Sequence, residues 1–144
     1  MKTIVLNISP IEVMSIARGF QDYLHRDYFT KLTPPFKCLI YCRDKMPLIA
    51  DQNILLEGKW IVRVRDINGY SREAAENAFN IKNGKICGEF VCDGYKKIKD
   101  LSWDIFEWSI SNVKMYDVPR EIKEYGIKKA PSRYMILKGE NENE

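Results

Sequence analysis

Residues 17–29 read ARGFQDYLHRDYF and gather the only histidine of the chain, two arginines, two aspartates and four aromatic side chains. Several kinds of chemistry use such a set. Histidine and carboxylate side chains are the usual proton carriers of active sites, so His25 or Asp22 could move a proton. Arg18 and Arg26 could hold phosphate, while Phe20, Tyr23, Tyr28 and Phe29 would suit a protein interface. The bland alternative is the solvated end of a helix. More cations follow in the N-terminal half, namely Lys31, Lys37, Arg43 and Lys45. Arg63 and Arg65 fall on one strand face near Trp60, either a backbone clamp or an ordinary wet surface.

The elements that must position these residues can be read in order. TIVLNI (3–8) is a strand. In SPIEVMSIARGF, Ser9 is an N-cap, Pro10 occupies the first helical position and Glu12 completes a capping-box pattern. Val13, Ile16, Ala17 and Phe20 recur at helical spacing and predict a core-facing stripe. Gly19 ends that helix, so residues 17–29 begin in its last turn and continue as a loop. PPFKCLIYCRD (34–44) is a proline-led strand, and ILLEGKWIVRVRD (54–66) forms two short strands around Glu57-Gly58. SREAAENAF (71–79) suits a short helix. Asn83-Gly84 is a tight-turn pair leading into a strand through Val91. LSWDIFEW predicts a helical turn, SISNVKMYD a strand, PREIKEYG a short helix closed by Gly126, and RYMILKG (133–139) the last strand. The pattern implies an α+β fold, a small β-barrel of roughly six strands with a helix near the start and short helices capping its ends.

Composition narrows the classes further. The chain has 144 residues, 45% hydrophobic and 30% charged, the balance of one globular domain. Its net charge is +3, but removing Glu140, Glu142 and Glu144 from the 20 acidic residues leaves 17 against 23 basic ones. A mildly basic body at 1–139 thus precedes an acidic tail at 140–144, which is compatible with a phosphate-rich partner. The start has no signal-peptide pattern, and no stretch reaches membrane-spanning length. Cys38, Cys42, Cys87 and Cys92 lack a zinc-knuckle arrangement and read as reduced, buried thiols, with no metal and no cofactor expected. On extended strands Cys38 and Cys42 share a face while Cys87 and Cys92 point opposite ways. YKKIK (95–99) and KKAPSR (128–133) are basic runs. Trp103, Phe106 and Trp108 are core or barrel-end plugs.

LNISPIEVMSIARG, PFKCLIYCRDK and NGKICGEFVCD, followed by WSISNVKMYDVPREIKEYGIKKAPSRYMIL, resemble in order the ASCH domain, a branch of the PUA-like β-barrel superfamily. The likeness is to phage-borne and prophage-borne members and spans nearly the whole chain. It implies a phage origin and a cytoplasmic location in a bacterial host. Many members follow the helix-ending glycine with G-x-K-x-x-E-x-R, whose side chains line a pocket for RNA or nucleotides. In some small relatives a lysine, a threonine and a glutamate there hydrolyse an acetylated nucleoside. Aligned on Gly19, the lysine position holds Gln21, the glutamate or threonine position holds Leu24, and the arginine persists as Arg26. Glu89 corresponds to the glutamate that completes the hydrolytic site, and Trp108 could wall the pocket.

Glutamine exchanges no proton near neutral pH and leucine neither accepts nor donates one, so a catalytic reading loses its base. The expected function is therefore non-catalytic binding of RNA, another nucleic acid or a nucleotide. Arg18, Gln21, Arg26, Lys31, Arg63, Arg65, Glu89 and Trp108 form the expected contact set. An enzyme of the same fold, a ribonuclease or small amidohydrolase, would require Glu89 with Asp22 or His25 in place of the lysine. Without chemistry, Glu89 would be the structural ion-pair partner of Arg26 or of another cation. A third reading is a phage protein that binds and inhibits a host nuclease or defence factor, using the exposed aromatics and the acidic tail.

Overall fold

Every residue from Thr3 to Leu6 is buried, because the first strand, β1 (Thr3–Ile8), is covered on both faces. A strand in that position must be apolar throughout rather than alternating, as TIVLNI nearly is. The structure, a computed structural model, describes residues 1–43, 54–56, 59–61, 84–98 and 105–137. After β1 come α1 (Pro10–Ala17), β2 (Tyr23–Arg26) and β3 (Phe36–Cys42). The hairpin strands β4 (Ile54–Leu56) and β5 (Lys59–Ile61) precede β6 (Ile86–Cys92), β7 (Tyr95–Ile98), β8 (Ile105–Ser109) and β9 (Ser111–Arg120). A turn of 3-10 helix, Ile122–Tyr125, leads to β10 (Tyr134–Ile136).

Five strands form one sheet in the order β10-β1-β3-β6-β9, and a second sheet runs β2-β8-β7. β1 and β3 are parallel, so α1 and β2 lie in the crossover that a parallel pair requires. The other neighbours in both sheets are antiparallel. β9 and β10 stand at opposite edges of the larger sheet. The described strands therefore make open, stacked sheets rather than the closed barrel expected from the strand count.

Alternation along β1, β3 and β6 feeds two cores. Ile4, Leu6, Ile8, Cys38, Ile40 and Phe90 pack against Val13, Met14 and Ile16 of α1 and against Leu24 and Trp108 of the smaller sheet. On the reverse face Val5, Leu39, Tyr41, Ile86 and Tyr116 pack with Ile127, flanked by Ile122 and Tyr125 of the 3-10 turn. At Gly88 the backbone of β9 leaves no room for a side chain: a Cβ there would stand 2.6 Å from the Lys114 carbonyl oxygen and 2.9 Å from Met115 Sδ.

Several local expectations hold. The Ser9 hydroxyl accepts from the Glu12 N–H at 3.4 Å, with Pro10 opening the helix. Gly19 and Gly126 adopt φ of 75° and 76°, stopping α1 and the 3-10 turn as C-terminal glycines do. The two short strands expected on either side of Glu57-Gly58 are β4 and β5, which pair Leu55 with Trp60.

Others do not hold. Residues 23–26 are a strand, not a loop, and 105–109 are a strand rather than a helical turn. In both cases β8 and β2 complete each other's hydrogen-bonding edges, a tertiary gain that a short window cannot display. Phe20 leaves the helical stripe and is 62% exposed, because Gly19 turns the chain one residue earlier. Pro119 and Arg120 belong to β9, and Glu121 caps the 3-10 turn instead. Cys87 and Cys92 both reach the α1-side core, since register shifts along β6 reset its alternation. The expected helix at 71–79, the strand residues beyond Ile61, Trp103 and the acidic tail lie outside the described residues. Among the described residues no helix is long and apolar enough to cross a membrane.

Candidate functional site

The chain between α1 and β2 is short, so it brings the helix's first turn beside the strand's last residue. The Glu12 carboxylate meets the Arg26 guanidinium there, with Oε1 accepting from Nη2 at 3.0 Å and Oε2 from Nη1 at 3.4 Å. Nη1 also donates to the His25 carbonyl at 2.8 Å, and the Gln21 amide donates to Glu12 Oε2 at 3.3 Å. Arg26 is only 14% exposed and Glu12 29%. Arg26 is therefore a positioning residue that ties β2 to α1, its charge balanced by a partner that the sequence marked only as a cap. Leu24 points the opposite way from His25 and is fully buried in the core.

Around this pair lies a cleft of about 320 Å³ lined by Glu12, Ser15, Phe20, Gln21, Tyr23 and His25. Its rim is aromatic. The Arg18 guanidinium sits 4.5 Å from the centre of the Phe20 ring, and the rings of Tyr23 and His25 lie 5.0 Å apart. Phe20 and Tyr23 are exposed. His25 Nε2 is 3.1 Å from Glu107 Oε1 on the neighbouring strand, an exposed pair that holds the imidazole away from Leu24. Asp22 accepts at its backbone carbonyl from the Ile110 N–H at 2.8 Å. Lys31 is exposed on the loop before β3.

Glu89 lies elsewhere. It pairs in register with Leu39 and Lys114 and projects on the sheet face opposite α1. Its Oε1 accepts from the Tyr116 hydroxyl at 2.6 Å, and Lys37 Nζ is 3.6 Å from its Oε2. Burial pushes the Tyr116 phenol well above its ordinary value, and the hydrogen bond to the Glu89 carboxylate adds to this. The five-stranded sheet thus separates Glu89 from Arg26; of the structural partners expected for Glu89, Arg26 or another cation, it is Lys37 that stands beside it, while Arg26 pairs with Glu12. The cause is the pleat: Glu89 shares the face of Leu39, whereas Arg26 sits on the sheet stacked over the face of Ile40.

Trp108 is core rather than pocket wall. It is fully buried, donates from Nε1 to the Tyr28 carbonyl at 3.1 Å, and meets Tyr28, Phe36 and Tyr95 edge-on. Tyr95 is anchored by its hydroxyl at 2.6 Å from Thr30 Oγ1; burial raises its phenol to about 12, against the lowering effect of the Thr30 hydrogen bonds. Arg63 and Arg65 lie outside the described residues. Among the described residues no group of three or more His, Cys, Asp or Glu side chains is placed to hold a metal ion. Burial raises the Cys38 thiol well above its usual range, an inert setting rather than a reactive one.

With this architecture, an open β-sheet carrying an N-terminal crossover helix and a stacked second sheet, the chain has the fold of ASCH domain proteins. It superposes on the ASCH protein of Zymomonas mobilis with a TM-score of 0.59 at 8% identity, covering 96% of this chain and 90% of that one. A tyrosine-to-phenylalanine variant of the same protein gives 0.60 at 7% identity over 96% and 92%, and a serine-to-alanine variant 0.53 at 9% over 96% and 89%. The likeness is one of fold. No family model matches the sequence, and no curated protein matches it significantly.

Proposed function

We propose that the domain binds single-stranded nucleic acid, RNA above all, without cleaving it, through the cleft between α1 and β2. The observation that carries this reading is the exposed Phe20 ring with the Arg18 guanidinium stacked on it, next to the exposed Tyr23, at the lip of that cleft. An aromatic face with an adjacent cation is what a flipped-out base and its phosphate need. Glu12 would ordinarily repel a phosphate, but its charge is balanced by Arg26. Non-catalytic binding is supported by what occupies the positions where ASCH relatives carry a lysine and a glutamate or threonine: an amide bonded to Glu12 and a buried leucine. The resemblance of the sequence to phage-borne members supports a phage origin.

The test is fluorescence anisotropy of labelled oligo-uridine and oligo-adenosine RNA, matched DNA and duplex RNA, across a salt series. Stacking is worth about 1–3 kcal/mol per base, so Phe20→Ala and Tyr23→Ala are each expected to weaken RNA binding about fivefold or more. Binding should weaken steeply with salt. Flat, negligible binding to every nucleic acid would sink the reading. Nuclease-insensitive capture of one protein by the same aromatic face would replace it with the inhibitor reading, and release of cleaved product would replace it with the enzyme reading.

A further inference from the structure

The face of the large sheet turned away from α1 carries a second cleft, of about 280 Å³, over β1, β3, β6 and β9. Its polar lining is Thr3, Lys37, Glu89, Tyr116, Arg120 and Tyr125. Thr3 is 2% exposed and its Oγ1 has no hydrogen-bond partner among the described residues. A buried hydroxyl left without a partner is costly, and native structures seldom keep one unless something else supplies the bond. Beside it, the Lys37 ammonium stands 3.6 Å from Glu89 Oε2, within ion-pair range but beyond a good hydrogen bond. Across the cleft, the Arg120 guanidinium stacks 3.9 Å from the centre of the Tyr116 ring. Among the described residues its one hydrogen bond goes from Nη1 to the Tyr125 hydroxyl, at 2.9 Å.

Two cations and one carboxylate favour an anionic ligand, and a lysine and an arginine facing one space suit phosphate. Glu89 keeps acceptor capacity beyond its bond from Tyr116, and Thr3 can donate or accept; together they suit ligand hydroxyl groups. We propose that this cleft binds a small phosphorylated polyol of ribose-phosphate type, its phosphate between Lys37 and Arg120 and its hydroxyls on Glu89 and Thr3. The size agrees, since pockets for drug-sized molecules start at about 300 Å³ and a pentose phosphate is smaller than those. This site and the α1–β2 cleft lie on opposite sides of one sheet, so the proposal stands or falls apart from RNA binding.

The experiment is isothermal titration calorimetry of the whole chain with ribose 5-phosphate, inorganic phosphate, ribose and adenosine 5′-monophosphate. Ribose 5-phosphate is expected to bind more tightly than inorganic phosphate or ribose. Lys37→Met and Arg120→Gln should each weaken it about tenfold. Glu89→Gln, which keeps the side chain's shape, should erase the preference for the sugar phosphate over inorganic phosphate. The near-isosteric Thr3→Val should weaken binding without unfolding the chain, and Phe20→Ala should leave it unchanged. Equal or tighter binding of the monophosphate would identify a mononucleotide as the source of the ribose phosphate; weaker binding would identify the free sugar phosphate. The proposal is overturned if neither phosphorylated ligand binds at about 10 mM. It is equally overturned if inorganic phosphate binds as tightly as both, or if Lys37→Met and Arg120→Gln leave the affinity unchanged.

Discussion

Removing the Arg26 guanidinium should cost stability more than it costs binding. Exposed ion pairs contribute about 0.2–1 kcal/mol, whereas breaking a buried one costs about 3–5 kcal/mol. The Glu12–Arg26 pair sits between these limits, with side chains 29% and 14% exposed, two contacts at 3.0 and 3.4 Å and a further bond to the His25 carbonyl. Arg26→Ala is therefore expected to lose about 2 kcal/mol, and Glu12→Gln about 1 kcal/mol because the one amide oxygen can still accept from the guanidinium. The double variant should lose less than the two losses combined, by a coupling of about 1 kcal/mol. In urea unfolding, 2 kcal/mol moves the midpoint by about 1 M at a slope of ~2 kcal/mol/M. Under conditions where the variant remains folded, its affinity for oligo-uridine RNA should fall by no more than about fivefold, the loss coming from the Glu12 charge left unbalanced at the cleft. An unmoved urea midpoint together with a tenfold or greater loss of RNA affinity (about 1.4 kcal/mol) would refute the reasoning and make Arg26 a direct phosphate ligand.

Gly88→Ala should destabilise the chain by about 2–3 kcal/mol, because the added Cβ meets a Lys114 carbonyl that cannot swing aside. Thermal unfolding should show the drop, with Gly94→Ala, which meets nothing within 4 Å, as the control. Trp108→Phe leaves the Tyr28 carbonyl without its indole donor and opens a void among Tyr28, Phe36 and Tyr95. A loss of about 2–3 kcal/mol in chemical denaturation is expected, and a negligible loss would return Trp108 to the role of pocket wall. The Tyr95 phenol ionises near 10 when unfolded and at about 12 when folded, so its contribution is complete below pH 10 and is lost as pH rises from there towards 12. Tyr95→Phe, at a cost of about 1 kcal/mol at neutral pH, should flatten that alkaline decline; parallel pH profiles would count against it.

How much of this was legible in the sequence depended on how local the cause was. Ser9, Pro10 and Gly19 act on their own turn of chain, and the helix they predict is the helix observed. β8 was misread because Ile105 to Ser109 is too short for its alternation, with Phe106 and Trp108 on one face and Glu107 on the other, to outweigh a helical reading. The candidate site failed in a different way. Gln21, Leu24 and Arg26 are close in sequence and remain close in space, but the partner of Arg26 is Glu12, whose obvious local role as a capping residue masked its longer reach. Glu89 falls on the far side of the sheet from Arg26 because it shares the pleat face of Leu39, and which sheet face α1 and β2 cover is a tertiary fact that no local window displays. Lys37 was the legible hint to the second cleft: a lone cation inside an otherwise apolar strand calls for a partner, and it has Glu89.

The pairing of β1 with β10 has a kinetic consequence. Ile4 lies opposite Ile136, so one edge of the main sheet closes only when residues from nearly both ends of the described chain meet, while β1 also waits for β3 across the crossover. Contacts this distant in sequence carry a large loop-closure cost before they return any stability, and proteins dominated by them fold slowly. Because β1 lies between β10 and β3, neither end of the chain can assemble the sheet without the other. Folding should therefore be one slow cooperative event, and fragments cut between β3 and β6 should gain structure only when mixed.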